Sequence, residues 1–361
     1  MEQSLLVGVV TPKESRGDAA RHLEELRELT VSAGAAVTDV VLQTRPRLDP
    51  AYLIGRGKAD EIAARVQGEK LDLVIFDDTL SPAQQRNLES LLQCKVIDRA
   101  ALILDIFAQR ARTKEGKLQV ELAQLNYLLP RLSGSGTALS RLGGGIGTRG
   151  PGETKLEMDR RRIRARIAHI KSEIEKVRQH RQLHRSRRRG VPVPVVTMIG
   201  YTNAGKSTLF SALTRADTFR SARMFATLDP LVRRIHLPAS GDVLLTDTVG
   251  FVRKLPPDLV AAFRATLEEI GEADLLLHVV DRSQQNFRDQ IAAVDQVLTE
   301  LGFQNIPMLL VYNKMDLLDK TAAEPKENDM LAVSALKGTG LDSLRSAIDS
   351  RLKSARIARV H

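Results

Sequence analysis

Short apolar runs alternate with amphipathic stretches along the first 112 residues. The runs are rich in β-branched and aliphatic residues, as in strands that are buried on both faces. The runs are Leu5–Thr11, Ala36–Gln43 and Leu73–Phe76, and the helical stretches include Asp18–Ser32 and Pro82–Gln93. This alternation predicts a parallel sheet covered by helices, so we interpret residues 1–112 as an N-terminal α/β unit. Within it, Gly55–Lys58 fits either a simple turn, which we favour, or a contact with phosphate.

The pattern changes between residues 113 and 190. Thr113–Leu132 has helical spacing, whereas Ser133–Gly152 contains eight glycines, which bring backbone entropy and no side chain to pack. From Thr154 to about Arg189 apolar residues recur at the coiled-coil period, and they are Leu156, Ile163, Ile167, Ile170, Ile174 and Val177. We predict an antiparallel helical arm over residues 113–190 whose tip is the glycine-rich loop 133–152.

Residues 191–361 return to an α/β pattern. The apolar runs Val195–Ile199, Val243–Leu245 and Met308–Tyr312 each lead directly into a polar segment. The chain is therefore predicted to be an α/β protein of three parts, and the third part carries its polar motifs at the ends of strands.

The first of these segments has the pattern GxxxxGKS between a strand and a helix, which is the pattern of a phosphate-binding loop. Glycines let the backbone N–H groups turn toward a phosphate, and the following helix directs its positive end at the same place. Lys206 is expected to neutralise the β- and γ-phosphates, and the Ser207 hydroxyl to bind Mg²⁺. The predicted nucleotide-binding residues of this loop are Gly200, Tyr201, Thr202, Asn203, Ala204, Gly205, Lys206, Ser207 and Thr208.

Two further segments are predicted on the γ-phosphate side of the nucleotide. Asp247, at a strand end, can hold Mg²⁺ through water, and Gly250 leaves its N–H free for the γ-phosphate. Thr227 can complete the magnesium shell while a nucleoside triphosphate is bound and leave it afterwards, with Thr218 as a competing candidate. Lys206, Thr227 and Gly250 are the predicted catalytic residues. The nucleotide-binding residues in these segments are Phe225, Ala226, Thr227, Leu228, Asp229, Asp247, Thr248, Val249 and Gly250.

The last segments predict a site for guanine. A carboxylate such as Asp316 can accept hydrogen bonds from the N1–H and the N2 amine of guanine, whereas adenine has no donor at either position. Lys314 is expected to lie along the base, and Asn313 to tie its loop to the phosphate-binding loop. The predicted base-binding residues are Asn313, Lys314, Met315, Asp316, Ser334, Ala335 and Leu336.

Composition narrows the setting of this nucleotide site. No run of 18 apolar residues and no secretory signal is visible, and the single cysteine, Cys94, excludes an intramolecular disulfide. We therefore expect a cytoplasmic protein. The net charge is +10, and Glu153–Gly190 holds 14 basic against 5 acidic residues, so the arm carries nearly all of the excess. Such a segment suits a polyanionic partner, and a solvated coiled coil is the alternative.

All five nucleotide motifs together resemble the TrmE–Era–EngA–YihA–Septin-like translation-factor GTPases, and within these the HflX family. The motifs are GYTNAGKST (200–208), FATLDP (225–230), DTVGF (247–251), NKMD (313–316) and VSALKG (333–338). The glycine-rich segment Gly143–Thr154 and the segment Leu53–Lys58 are also similar to those of the family.

The resemblance implies a Mg²⁺-dependent GTPase that binds GTP and GDP, associates with the large ribosomal subunit and acts in ribosome rescue or recycling under stress. The basic arm then fits ribosomal RNA as its partner. We expect a monomer. Related GTPases with asparagine at the position of Asn203 use K⁺ beside the phosphates, although the residue also suits the backbone of the loop. Two other functions stay open: a GTPase in ribosome assembly or tRNA modification, and a nucleotide-gated RNA-binding module with incidental hydrolysis.

Overall fold

The chain divides into two compact units. The computed structural model describes residues 1–12, 14–132, 151–188, 193–215, 224–225, 229–253, 270–318 and 331–360. One unit comprises residues 1–109 and 117–176, and the other comprises residues 110–116 and 177–361. Among the described residues, no helix combines the length and the apolar character needed to cross a membrane.

The N-terminal residues form a parallel four-stranded sheet of order β2-β1-β3-β4, which confirms the predicted α/β arrangement. Its strands are β1 (Gln3–Val10), β2 (Ala36–Thr44), β3 (Leu73–Phe76) and β4 (Lys95–Asp98), and its helices are α1 (Arg16–Ala33), α2 (Arg56–Glu69), α3 (Pro82–Leu92) and α4 (Arg99–Arg110). Central strands β1 and β3 are buried almost throughout, which explains their continuous apolar runs. Gly55 and the residues after it start α2, with the Gly55 N–H donating to Gln43 Oε1 at 2.9 Å.

The predicted arm is helical on both sides of its glycine-rich loop. Helix α5 (Lys114–Leu128) continues into a 3₁₀ turn (Leu129–Leu132), and α6 (Pro151–Arg188) is 38 residues long. Leu118 and Leu122 of α5 share an apolar cluster with Ile170, against which Ile167 and Ile174 also pack. The predicted seam of α6 thus has a partner. Ser133–Gly150, most of the predicted tip, lies outside the described residues, and α6 begins at Pro151, the first-turn position that suits proline.

The second unit contains a six-stranded sheet of order β10-β9-β8-β5-β7-β6, parallel except for β6. Its strands are β5 (Val195–Ile199), β6 (Leu231–Leu237), β7 (Gly241–Asp247), β8 (Leu275–Asp281), β9 (Met308–Asn313) and β10 (Leu331–Ala332), and its helices are α7 (Lys206–Thr214), α8 (Phe287–Glu300) and α9 (Leu341–Val360). Two separate apolar clusters pack against this sheet. One contains Met198 and Leu277, and the other contains their chain neighbours Ile199 and Leu276. Alternate residues of β5 and β8 therefore serve different cores, and the strand ends are left to carry the polar motifs.

A buried histidine lies at the centre of this sheet. His278 pairs with Ile199 on one side and with Leu310 on the other, and its Nδ1 has no hydrogen-bond partner among the described residues. Burial, with a smaller contribution from the positive charge of Lys206, lowers the pKa of His278 to about 4. The imidazole is therefore neutral at physiological pH.

We expect this histidine to make folding stability depend on pH. Because the folded pKa lies below the unfolded value, the unfolded chain gains the proton first, and stability is lost as the pH falls from about 6.5 to about 4. Between about pH 7 and about pH 5 the protein should lose about 2 kcal/mol more in free energy of unfolding than a His278→Gln variant. Urea unfolding followed by circular dichroism measures this. His236→Gln, at an exposed histidine, should keep the pH dependence of the unmodified chain; equal dependence in both variants would contradict the prediction.

Candidate nucleotide-binding site

The phosphate-binding loop lies between β5 and α7, and two of its glycines are required by their surroundings. Gly200 has φ 142° and Gly205 has φ 89°, and residues other than glycine rarely adopt backbone conformations in this range. A Cβ at Gly200 would meet the Val279 carbonyl oxygen at 2.2 Å, and one at Gly205 would meet Asn313 Nδ2 at 2.3 Å. The loop thus closes tightly against β8 and against the loop after β9.

Lys206, at the start of α7, is buried with its charge directed back into the loop. Its Nζ donates to the carbonyl oxygens of Gly200 at 3.0 Å and Tyr201 at 2.8 Å. Burial lowers the pKa of Lys206 to about 8, and the negative charge of Asp247 opposes that shift. A Cβ on Gly250 would lie 2.9 Å from the same Nζ, so a side chain at Gly250 would crowd the ammonium group. Two of the three predicted catalytic residues, Lys206 and Gly250, therefore lie side by side.

The predicted magnesium ligands Ser207 and Asp247 are also neighbours. The Ser207 hydroxyl donates to Asp247 Oδ2 at 2.7 Å, and Asp247 is fully buried at the end of β7. A hydroxyl and a carboxylate are hard oxygen ligands of the kind Mg²⁺ prefers, so the pair fits that ion. Thr248 is fixed by donating its hydroxyl to the Met198 carbonyl at 2.7 Å.

The remaining γ-phosphate segment is only partly described. Thr227, with Ala226 and Leu228, lies outside the described residues, so its role as a magnesium ligand stays a prediction. Phe225 is buried at φ 54°. Asp229 directs its carboxylate at the backbone of Arg112 and Thr113, a contact that the sequence did not predict.

The predicted base-binding residues are brought together by Asn313. Its Nδ2 donates to the Ala204 carbonyl at 3.0 Å, and its Oδ1 accepts from the Ala335 N–H at 3.0 Å. Asp316 accepts from the Ser334 hydroxyl at 2.6 Å, and this bond holds the pKa of the carboxyl below its usual value. An ionised carboxylate is the acceptor that guanine N1–H and N2 require.

The Lys314 ammonium pairs with Asp281 at the end of β8, at 2.7 Å. That ion pair fixes the stem of the lysine at the base site. Asp281 was not among the residues predicted from the sequence. Asp281 is the last residue of the buried strand β8, as Asp247 is of β7, and this position was the signal that could have identified it.

The chain after Gly250 is fastened to the phosphate-binding loop. Phe251 N–H donates to the Gly200 carbonyl at 3.0 Å, and its own carbonyl accepts from Thr202 N–H at 2.7 Å. The Phe251 side chain is buried in the cluster that contains Ile199. The Tyr201 hydroxyl accepts from the Arg253 N–H at 2.9 Å, and the Arg253 guanidinium lies 3.7 Å from an Asp289 carboxylate oxygen.

The backbone also bears on the predicted potassium site. Asn203 adopts φ 61°, a left-handed conformation in which asparagine is several-fold enriched among non-glycine residues. This conformation accounts for the asparagine without a cation. Dependence on potassium stays a prediction.

Three family models match most of the chain. A model described as "GTP-binding GTPase N-terminal" matches residues 20–108, and one described as "GTP-binding GTPase Middle Region" matches residues 110–188. A third, described as "50S ribosome-binding GTPase", matches residues 195–314 and so includes the phosphate-binding loop and Asn313.

Individual relatives agree with these matches. The chain is 51% identical over 351 residues to "GTPase HflX" of Caldanaerobacter subterraneus subsp. tengcongensis, covering 97% of this chain and 81% of the relative. It is 48% identical over 356 residues to "GTPase HflX" of Escherichia coli K12, covering 97% and 83%. A crystal structure of SsGBP with GDP superposes with a TM-score of 0.52 at 26% identity, covering 98% of this chain and 99% of that one. The site geometry and these matches together show that the chain is a GTP hydrolase and belongs to the HflX family.

Proposed function

We propose that this GTPase works on the large ribosomal subunit, in the cytoplasm, in rescue or recycling of ribosomes under stress. The observation that carries the proposal is the exposed basic surface of α6. Arg161 and Arg162 are 79% and 80% exposed, and their acidic neighbours on the helix lie at 3.8 and 4.0 Å. Exposed ion pairs of this length contribute little to the stability of the helix, so the guanidinium groups can exchange these partners for RNA phosphates. The description of the matched 195–314 model as a "50S ribosome-binding GTPase" supports the same partner.

In the proposed reaction, water attacks the γ-phosphate of GTP and releases GDP and phosphate. Lys206 offsets the charge that collects on the β- and γ-oxygens, and the Gly250 N–H meets the γ-phosphate. Ser207, Asp247 and Thr227 would hold Mg²⁺, which neutralises part of the phosphate charge when bound. Asp316 orients the base, and this orientation places the triphosphate in the phosphate-binding loop.

Changing Asp316 to asparagine should reverse the choice of base. An amide nitrogen offers donors where guanine also has donors, whereas the 2-oxo group of xanthine is an acceptor. We expect Asp316→Asn to weaken GTP binding by roughly 100-fold or more and to favour xanthosine triphosphate. Titration with both nucleotides measures this. Asp342→Asn, at an exposed position in the first turn of α9, should bind GTP as the unmodified chain does; unchanged GTP affinity in Asp316→Asn would refute the assignment.

Removing the predicted tip should separate ribosome binding from nucleotide binding. Residues 133–152 are remote in sequence from every nucleotide motif, so their deletion should leave GTP affinity unchanged and weaken co-sedimentation with large subunits in the presence of a non-hydrolysable GTP analogue. Mature large subunits, their precursors and tRNA should be compared as partners. Undiminished co-sedimentation after the deletion would contradict a role for the tip, and binding only to precursors or tRNA would contradict the proposed step.

Hydrolysis by the free protein should be slow and should accelerate on the large subunit. Many small GTPases have a glutamine directly after the DxxG motif that orients the attacking water, whereas Phe251 is buried and has no polar group in its side chain. Phosphate release with purified large subunits should exceed that of the free enzyme by at least about tenfold, because positioning supplies much of the rate. Small subunits serve as the matched control. Fast hydrolysis by the free protein, or equal rates with both subunits, would contradict this account.

A further inference from the structure

The Asp229 carboxylate occupies the amino-terminal end of helix α5. Its Oδ2 accepts from the backbone N–H of Arg112 at 2.8 Å and of Thr113 at 2.9 Å, and its Oδ1 accepts from the Thr113 hydroxyl. These residues are more than 110 positions apart in sequence but belong to the same compact unit. The carboxylate therefore serves as a cap that a distant loop supplies to the helix.

The start of α5 is shaped to receive this carboxylate. Thr113 Oγ1 accepts from the Gly116 N–H at 2.9 Å, as an N-cap hydroxyl does, and Asp229 takes the two amides that precede the helix. A Cβ on Gly116 would lie 2.3 Å from Asp229 Oδ1, so glycine is required for the approach. Negative charge is favoured here because the first turn of a helix presents unpaired N–H groups.

Asp229 also stands next to the nucleotide motifs. Leu231 pairs with Asp247 at the end of the β6–β7 ladder, so Asp229 lies two residues beyond the point where the magnesium-side strand ends. Thr227 precedes it by two residues. The residues that receive the carboxylate belong to the segment 110–116, which links α4 to α5 in the chain. Most residues of these two helices belong to the other compact unit.

We propose that Asp229 is a positioning residue, which couples GTP binding to the start of helix α5. The cap fixes the carboxyl-terminal side of the segment that must bring Thr227 to the γ-phosphate and Mg²⁺, so that the cap and bound GTP stabilise each other. The inference rests on the proposed role of Thr227. Because GDP lacks the γ-phosphate, loss of the cap should weaken binding of a non-hydrolysable GTP analogue and leave GDP binding nearly unchanged. Coupling of this kind is reciprocal, so the GTP analogue should in turn strengthen the cap.

The first test compares substitutions on the two sides of the contact. In the full chain, Asp229→Ala removes the carboxylate, and Gly116→Ala places a methyl group in the space that the carboxylate occupies. Each should lower the affinity for the GTP analogue relative to GDP by about threefold or more, the range expected for loss of a helix cap. The double variant should be no worse than Asp229→Ala alone, because both changes remove one interaction. Gly68→Ala in α2, where an added Cβ meets nothing within 4 Å, should leave the ratio unchanged.

Hydrogen exchange supplies a readout that loss of folding would not reproduce. The amides of Arg112 and Thr113 should exchange more slowly with the GTP analogue bound than with GDP bound, and this difference should vanish in Asp229→Ala and in Thr227→Ala. If Thr227→Ala changes the preference for the analogue but Asp229→Ala and Gly116→Ala do not, the coupling is overturned and the role of Thr227 stands. If Thr227→Ala changes nothing, the role of Thr227 is overturned and the coupling with it.

Discussion

The side chain of Asn313 is the contact on which the nucleotide site depends. One amide group bonds to the Ala204 carbonyl and to the Ala335 N–H, and so joins the loops that follow β5, β9 and β10. The absence of a side chain at Gly205 is what allows Asn313 to come so close. Parallel strands bring these three loops to one edge of the sheet, but neighbouring loops still move independently unless something links them. Through this amide, the phosphate-binding loop and the base site acquire a fixed separation.

A second constraint is electrostatic. Lys206 holds a positive charge in a buried position, against two backbone carbonyls that compensate only part of its lost hydration. Its lowered pKa is the signature of that cost, and a phosphate would remove the cost by supplying full negative charge. His278, deeper in the sheet, stays neutral in part because a second positive charge near Lys206 is unfavourable. Among the described residues beneath the loop, Lys206 is thus placed to meet an anion, and the neutral His278 adds no competing positive charge.

The sequence was informative for the nucleotide motifs in which residues adjacent in the chain act together. The phosphate-binding loop, Asp247 with Gly250, and Asn313 through Asp316 could be identified because each motif follows an apolar run directly. The α/β pattern of the N-terminal unit was equally local. Strands β6 and β8 were not predicted from the sequence. The first four residues of β6 are exposed and so show no buried pattern, whereas β8 is buried throughout.

Contacts between distant segments could not be predicted in this way. The bond from Tyr127 to the buried Asp98 and the cap that Asp229 provides for α5 join residues far apart in sequence. Neither contact follows a periodicity or a spacing rule, since each depends on where whole elements come to lie. Gly116 illustrates the difficulty. Within α5 alone, a glycine only lowers helix stability. The contact with Asp229 explains the glycine, because a Cβ at this position would collide with the carboxylate.

Phe251 shows how the fold limits the chemistry of the free enzyme. Two backbone hydrogen bonds fasten it to the phosphate-binding loop, and its ring belongs to the apolar cluster between the sheet and α8. A polar side chain at this position would face the core and would pay for burial without reaching the γ-phosphate. The group that orients water must therefore come from elsewhere, either from a rearrangement of the chain after Gly250 or from a partner. Because Arg253 is already engaged by Asp289 and through its backbone by Tyr201, such a rearrangement has to break those contacts first. A partner that binds here and releases them would, under the function proposed above, control hydrolysis.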